Sequence, residues 1–460
     1  MIAQYVVLSL FLGSSIITLF LILKRPFIQL RIRGRNLKLE TYILGALLGP
    51  ILIILFGLLT YEQIIRGLGG VQQLNPFGIL LLFLSMVFMS IFLDITGFFE
   101  YCARLALVYA GKDGRRLFLS LYVTISILTI FTSNDIIILT FTPFIFYFAR
   151  DAGINPKPYL IAEFFAANTW SMMLYIGNPT NIVVATAFRL HFDAFTKWMF
   201  LPTMAAGITS ICLLYVVFQK EICVPFHTYP TTDPSAALTD KKGAGMGLGL
   251  MGGCILALAL APYVDLELWV ISLIFALSLL VILVIREFSQ KKWTKHELNS
   301  QNNATIATLR RMPWGVVPFI LSLFIMVEAL NVYGITSEFS SILKGICGES
   351  AILYSLVFGA LSATLANLLN NIPMTVAFVS IMEGLTGNNL LAAAFATTIG
   401  SNLGANITPF GSLAGIMWLS ILTTKNFRIT FREFAFYGLL ITPVTLLASL
   451  GVLGLEFYFM

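Results

Sequence analysis

The sequence predicts an all-α polytopic membrane protein with about ten full spans and two re-entrant hairpins, arranged as two inverted repeats. Three observations predict it. Of the 460 residues, 58% are hydrophobic and 11% are charged, whereas a soluble domain carries about 25% charged residues. Apolar runs of about 20 residues, the length that crosses a bilayer, recur along the whole chain, and no polar stretch between them is long enough for a water-soluble domain. Two of the longer runs carry polar residues at their centres, where lipid would not tolerate them.

Residues 4–23 are apolar and run straight into Lys24 and Arg25 with no small-residue cleavage site before them. That reads as a first span and not as a removed signal peptide. Spans follow at 41–60 and 76–98. The run 117–150 is too long for one crossing, and it has Arg115 and Arg116 at one end and Arg150 at the other. Basic residues prefer the cytoplasmic side, so this run enters and returns on one side, with Ser133, Asn134 and Asp135 at its tip. Non-helical backbone at membrane depth survives only inside protein or against water. The tip is therefore expected to face a polar cavity.

The next run, 158–190, is interrupted at Gly177-Asn178-Pro179-Thr180-Asn181, and 198–219 closes the first repeat. A linker at 220–243, with Pro225, Pro230 and Pro234, leads to the second repeat. There the spans fall at 244–262, 268–285, 313–332, 390–423 and 434–455, with a polar, Asn- and Lys-rich segment at 286–312. A second hairpin, 351–387, has Asn370, Asn371, Ile372 and Pro373 at its tip and Thr375 just beyond. The run 390–423 is interrupted between Gly400 and Ser412, a stretch that holds Ser401, Asn402, Gly404, Ala405, Asn406, Thr408 and Pro409. The first repeat thus covers 1–219, with scaffold spans in 1–110, and the second covers 244–460.

The halves match at an offset of 237 residues. Pro76-Phe77-Gly78 aligns with Pro313-Trp314-Gly315, Asp94 with Asn331, Gly97 with Gly334 and Asn134 with Asn371. After seven deletions Ser171 meets Ser401 and Pro179 meets Pro409. Five full spans per half is an odd number, so the second half sits inverted in the bilayer. Inverted repeats with interrupted helices mark secondary transporters. With the N-terminus outside, 24 of the 28 basic residues fall in inner segments, and Arg66, Arg189, Lys197 and Lys344 fall outside. That places both termini outside a cell (cytoplasmic) membrane.

Four polar clusters therefore lie at membrane depth: the two tips and the two breaks. The candidate binding residues are Ser133, Asn134, Asp135, Gly177, Asn178, Thr180, Asn181, Asn370, Asn371, Thr375, Ser401, Asn402, Ala405, Thr408 and Ser412. Glycine and proline break the helix and free backbone groups. Freed carbonyls can hold a cation, and helix N-termini can hold an anion. Asparagine offers both a donor and an acceptor. A lone Asn or Ser in a membrane helix is more often an interhelical hydrogen bond than a ligand, but four such clusters together argue for a site. Asp135 is the one carboxylate among them and so the coupling candidate; its competing role is to cap the returning helix. Asp94, Glu163 and Glu328 read first as structural pairs.

Other classes are excluded. Cys102, Cys212, Cys223, Cys254 and Cys347 form no CxxC, and His191, His227 and His296 are scattered, which argues against zinc and against a disulfide framework. The net charge of +6 belongs to loops and not to a nucleic-acid surface. There is no Walker A sequence and no nucleophile–base pair, so neither ATP hydrolysis nor other enzyme activity is expected. No cofactor is expected beyond a coupling proton or sodium ion.

The motifs TSND with LTFTP, GNPTNIV, ATLANLLNNIPMTV and IGSNLGANITPFGSLAGIMWLSIL resemble the ArsB/NhaD group of the ion transporter superfamily, and most of all bacterial arsenite/antimonite efflux permeases. The resemblance spans nearly the whole chain and is densest over 310–455. It rests there on Asn370, Asn371, Pro373, Leu403, Gly404, Ile407, Thr408, Pro409, Gly411, Ser412, Leu413, Ala414, Trp418 and Leu419. It implies an elevator-type architecture and ion-coupled efflux of arsenite, antimonite or a similar small inorganic solute. Relatives of this fold also include sodium/proton antiporters and sodium- or proton-coupled symporters of dicarboxylate-like anions. The implied partners are the small ion or anion and the lipid bilayer, with room for a homodimer and for a separate ATPase that the chain itself does not signal. Where arsenite permeases tend to carry Cys-Asp before Leu-Gly, this chain carries Ser401-Asn402. A thiol and a carboxylate are missing there, which leaves Asp135 as the coupler.

Overall fold

The structure, a computed structural model, describes residues 2–24, 27–32, 35–69, 75–223, 233–264, 266–289 and 303–459. Much of the linker at 220–243 and of the polar segment at 286–312 lies outside the described residues.

The chain opens with α1 (Ile2–Lys24) and an antiparallel pair, β1 (Phe27–Ile32) and β2 (Arg35–Glu40), in register from Phe27 opposite Glu40 to Ile32 opposite Arg35. This small hairpin was not expected from the sequence, where its basic residues read as loop. Helix α2 (Thr41–Leu55) returns beside α1, and the helix ends sooner than the apolar run because Gly57 takes a left-handed φ of 61°. Next come the short α3 (Tyr61–Gly69) and α4 (Pro76–Ile95). Asn75 caps α4 by accepting from Gly78 N–H at 2.9 Å, and Pro76 sits at the first helical position, where its missing N–H costs nothing.

Gly97, at φ 84°, turns the chain into α5 (Phe98–Ala110), and Gly111, at φ 61°, ends that helix. Its buried residues Phe99, Ala103, Ala106, Leu107 and Ala110 form one helical stripe. The arms α6 (Gly114–Phe131) and α7 (Asn134–Asp151) form the first hairpin. It does return to its starting side: Tyr159, at the start of α8 (Lys157–Trp170), donates to the Gly114 carbonyl at 3.3 Å. A single 3-10 turn at Tyr175–Gly177 separates α8 from α9 (Pro179–Ala187), and the long α10 (Phe192–Ile222) follows.

The second half runs through α11 (Lys241–Val264), α12 (Leu268–Ser289), the short α13 (Ala304–Arg311), α14 (Val316–Val332) and α15 (Ile335–Cys347). The second hairpin is α16 (Ala351–Leu369) and α17 (Asn371–Met382); α18 (Gly387–Gly404), α19 (Leu413–Thr424) and α20 (Phe431–Tyr458) complete the fold. Backbone conformations repeat where the sequence does. Gly334, at φ 73°, opens α15 as Gly97 opens α5, and Gly348, at φ 56°, ends it as Gly111 ends α5. Asn371 starts α17 as Asn134 starts α7.

The helices sort into two zones. Of α4's apolar stretch 83% is inside the protein, against 28% of α12's. Helices α8, α9, α17 and α18 are buried almost all round, whereas α1, α12 and α20 present residues such as Phe20, Ile285 and Leu447 outward. Close backbone contact holds the inner zone together. A Cβ on Gly400 would lie 1.9 Å from Ser362 Oγ, and one on Gly404 would lie 2.5 Å from Ala363 Cα, so α18 rests directly on α16. Small residues at such crossings are how membrane helices gain packing contacts.

This makes a stability prediction. Gly400→Leu must displace the α16 backbone and should cost roughly 3 kcal/mol or more, seen as a lower thermal midpoint and loss of monodisperse protein in detergent. Gly252→Leu, on an exposed face of α11 with nothing within 4 Å, should leave the midpoint unchanged.

Candidate functional site

Four helices begin in the interior of this protein, and each beginning is capped by a polar side chain. In the first hairpin, Ser133 Oγ and Asn134 Oδ1 accept from Asp135 N–H at 3.3 and 2.9 Å. Ser133 is therefore the cap, and Asp135 sits within the first turn of α7. In the second, Asn370 sits at φ 75° and ψ 151°, an extended positive-φ region that is strained for any residue but glycine, and its Oδ1 accepts from Ile372 N–H at 3.4 Å. Asn178 caps α9 by accepting from Thr180 N–H at 3.2 Å, and Ser412 caps α19 by accepting from Gly415 N–H at 3.2 Å. Gly177 has no alternative just before α9, since a Cβ there would lie 2.3 Å from the Ser171 carbonyl.

Hydrogen bonds between helices tie the starts of α7 and α9 to α8 and α18, and tie the second tip to the segment between α18 and α19. Asn402, fully buried on α18, accepts from Asn178 Nδ2 and from Ser171 Oγ, both at 2.9 Å. Its own Nδ2 donates to Asn181 Oδ1 at 2.7 Å and to the Thr398 carbonyl at 2.8 Å. Ser401 donates to Thr180 at 3.2 Å, and Asn181 donates to the Ser171 carbonyl at 2.8 Å. On the other side, Asn134 donates to Asn168 and Asn168 donates to Asn406, each at 3.1 Å. The second tip joins through its backbone: Asn371 N–H donates to Gly411 O at 3.0 Å, and Asn370 Nδ2 donates to Phe410 O at 3.2 Å. Beside the second tip, Asn367 accepts from Thr408 Oγ1 at 2.7 Å and donates to Gly404 O at 2.8 Å.

The candidates from the sequence thus lie together, with different degrees of engagement. Thr375 donates only to Asn371 O within its own helix, at 2.7 Å, and Ala405 contributes backbone and packing against Gly411. The Asp135 carboxylate is half-buried beside the positive end of α7. The Asn371 Oδ1 is buried without a partner among the described residues. Asn168 and Asn367 were not singled out from sequence, because an isolated amide in an apolar helix has no local pattern that names its partner. Ser133 and Asn134 are buried, and most of the amides satisfy one another.

The other intramembrane acids lie off the cluster. Glu163 accepts from Thr142 at 2.8 Å, and Glu328 lies 3.7 Å from Arg66. Asp94 accepts from Thr140 at 2.6 Å and pairs with Arg311. No lysine or arginine hydrogen-bonds into the cluster among the described residues, and no group of three or more metal-ligating side chains occurs there.

Among the described residues nine helices are long and apolar enough to cross a membrane, and two helical hairpins and two interrupted helices bury polar side chains together; with the likenesses that follow, this defines a multi-pass membrane transporter. The chain belongs to the citrate transporter family CitMHS, whose model matches residues 40–400. It is 28% identical to an arsenical pump membrane protein of Escherichia coli, over 81% of this chain and 85% of that one. It is 24% identical to a putative arsenical pump membrane protein of Bacillus subtilis, over 80% and 85% respectively. Among solved structures it is similar to the YdaH transporter of Alcanivorax borkumensis, with a TM-score of 0.56 at 14% identity and coverage of 99% and 98%. That likeness is one of fold.

The geometry separates residues that hold the cluster from residues with spare capacity. Asn402→Ala removes five side-chain hydrogen bonds. At roughly 0.6 kcal/mol for each bond inside a membrane, it should lower the thermal midpoint clearly. Asn371→Ala removes an oxygen with no partner and should leave the midpoint nearly unchanged. Equal shifts in a detergent melting assay would contradict this division.

Proposed function

We propose that this protein is an ion-coupled carrier that expels arsenite, antimonite or a similar small hydroxylated inorganic solute. The observation that carries the reading is the chemistry of the cluster: amides and hydroxyls at the starts of four helices, with no basic side chain among them. A neutral trihydroxy solute offers several hydroxyl donors and acceptors, and asparagine and serine match both. A tricarboxylate would bring several negative charges to membrane depth, which normally calls for arginine, lysine or metal partners. The names carried by the E. coli and B. subtilis relatives support the same substrate class. Recognition here would use no thiol, since none of the five cysteines hydrogen-bonds within the cluster. A second reading, a compact monoanion moved with sodium or protons, is favoured by the four helix N-termini, which suit negative charge.

Asp135 is the coupling group in this reading. It is the single carboxylate of the cluster, and its counterpart in the second half is Ile372. The paired glycines at 97 and 334, and at 111 and 348, support two halves that are inverted copies. The charge split supports both termini lying outside the cytoplasmic membrane.

Proteoliposomes test the reading. Purified protein should catalyse saturable counterflow of arsenite or antimonite, and citrate should not compete. Counterflow of citrate or sodium, with none of antimonite, would reverse the assignment. Asp135→Asn should keep exchange near the wild-type rate while losing pH- or sodium-gradient-driven accumulation by at least about tenfold, equivalent to ~1.4 kcal/mol. Undiminished gradient-driven transport in that variant would remove Asp135 from coupling.

A further inference from the structure

Beside the first hairpin lies a crevice of about 470 Å³. One wall is a face of α7 that includes Thr140, Phe144 and Tyr147; the other comes from the end of α4 and from α5, with Asp94, Glu100 and Arg104. That volume is in the range of small-molecule sites, and it is far from apolar. Thr140 lies five residues beyond Asp135, roughly 7–8 Å along the helix. The crevice therefore follows α7 from the hairpin's base toward the asparagine cluster.

At Thr140 three elements are tied together. Thr140 Oγ1 on α7 donates to Asp94 Oδ1 on α4 at 2.6 Å, and Asp94 also pairs with Arg311 at the end of α13. Arg311 keeps 45% of its side chain exposed, while Asp94 keeps 11%. Arg311 can swing into water, whereas Asp94 is largely buried, so opening this junction leaves its carboxylate to Thr140 and to whatever polar group enters. The second half has an uncharged version. Asn331, which aligns with Asp94, donates to Ser380 on α17 at 3.3 Å and accepts from Thr336 at 2.7 Å. In both halves a long helix is hydrogen-bonded to the return arm of its hairpin, but an ion pair reinforces it in one only. Three acids and one arginine line the crevice, and each acid has a basic partner: Glu100 holds Arg104 at 2.5 Å, Asp94 pairs with Arg311, and Asp151 lies 3.3 Å from Arg150. Such a lining neither collects cations nor repels anions strongly, and it suits a small polar solute of low charge.

We propose that this crevice is the cytoplasmic vestibule through which a small hydroxylated solute reaches the cluster, and that the Asp94–Arg311–Thr140 junction is the gate at its inner end. The proposal rests on the orientation and the transport reading above.

Cysteine accessibility tests it. Thr140→Cys is built in full-length protein in which the half-buried Cys102 and the exposed Cys212 and Cys223 are serine. It is reconstituted and treated from each face with a membrane-impermeant thiol reagent. Thr140→Cys should react from the face that bears the basic loops, and modification should stop counterflow. Adding Arg311→Gln should speed the reaction several-fold, and saturating antimonite should slow it. Phe144→Cys, lower in the crevice, should react from the same face without needing Arg311→Gln. Absence of labelling at both positions overturns the vestibule. An unchanged rate with Arg311→Gln, or full counterflow after modification, overturns the gate. Labelling only from the opposite face contradicts the orientation. Labelling from the expected face that antimonite does not slow supports the vestibule and counts against the substrate.

Discussion

Lipid offers no hydrogen bonds, so a helix that starts halfway through a membrane must find partners for its first N–H groups within the protein. Four helices here start that way. Ser133, Asn178, Asn370 and Ser412 cap them directly, and the remaining polar groups are satisfied across helices by Asn168, Asn367 and Asn402. These bonds act together with the close packing of α18 on α16 to hold the hairpins against the interrupted helices. The glycines at 400 and 404 serve the same end, because only a backbone-to-backbone approach of α18 and α16 brings the amides within reach.

The same constraint shapes the chemistry. A charged group buried without a partner is far more costly than an amide, and the cluster is accordingly made of neutral groups. The acids sit around it: Asp135 at its edge, Asp94 paired at the end of the crevice, Glu163 bonded to Thr142. In this arrangement most of the amides satisfy one another. On the reading proposed above, a solute would exchange its own hydroxyls for some of these bonds. The unpartnered oxygen of Asn371 is the one place in the second tip where such an exchange costs no existing bond.

Much of the architecture was legible because polar residues inside apolar runs have few explanations. The helix starts at Asn134, Pro179, Asn371 and Leu413 lie within or just beside the four polar clusters singled out in the sequence. The pairing of amides was not legible. Asn168 bonds to Asn406, 238 residues away, and no local pattern carries that information. The strands at 27–40 were missed because their arginines and lysines outweighed a period-two alternation, as in Leu37-Lys38-Leu39. At the first tip Ser133 and Asn134 are buried, and the Asn134 amide bonds to Asn168. A crevice of about 470 Å³ lies beside α7, lined in part by charged residues of α4 and α5.

The central claim is that the amide cluster at the four helix starts is where the solute binds. The most direct measurement is an electron cryomicroscopy structure of the wild-type protein in lipid nanodiscs at saturating antimonite, compared with the same sample without it. The account predicts one added density peak within hydrogen-bonding distance of the hairpin tips at Asn134 and Asn371, with the Asn178 and Asn402 amides turned toward it. Density confined to the lipid-facing helices α1, α11 and α12, with the amide cluster unchanged, would contradict it.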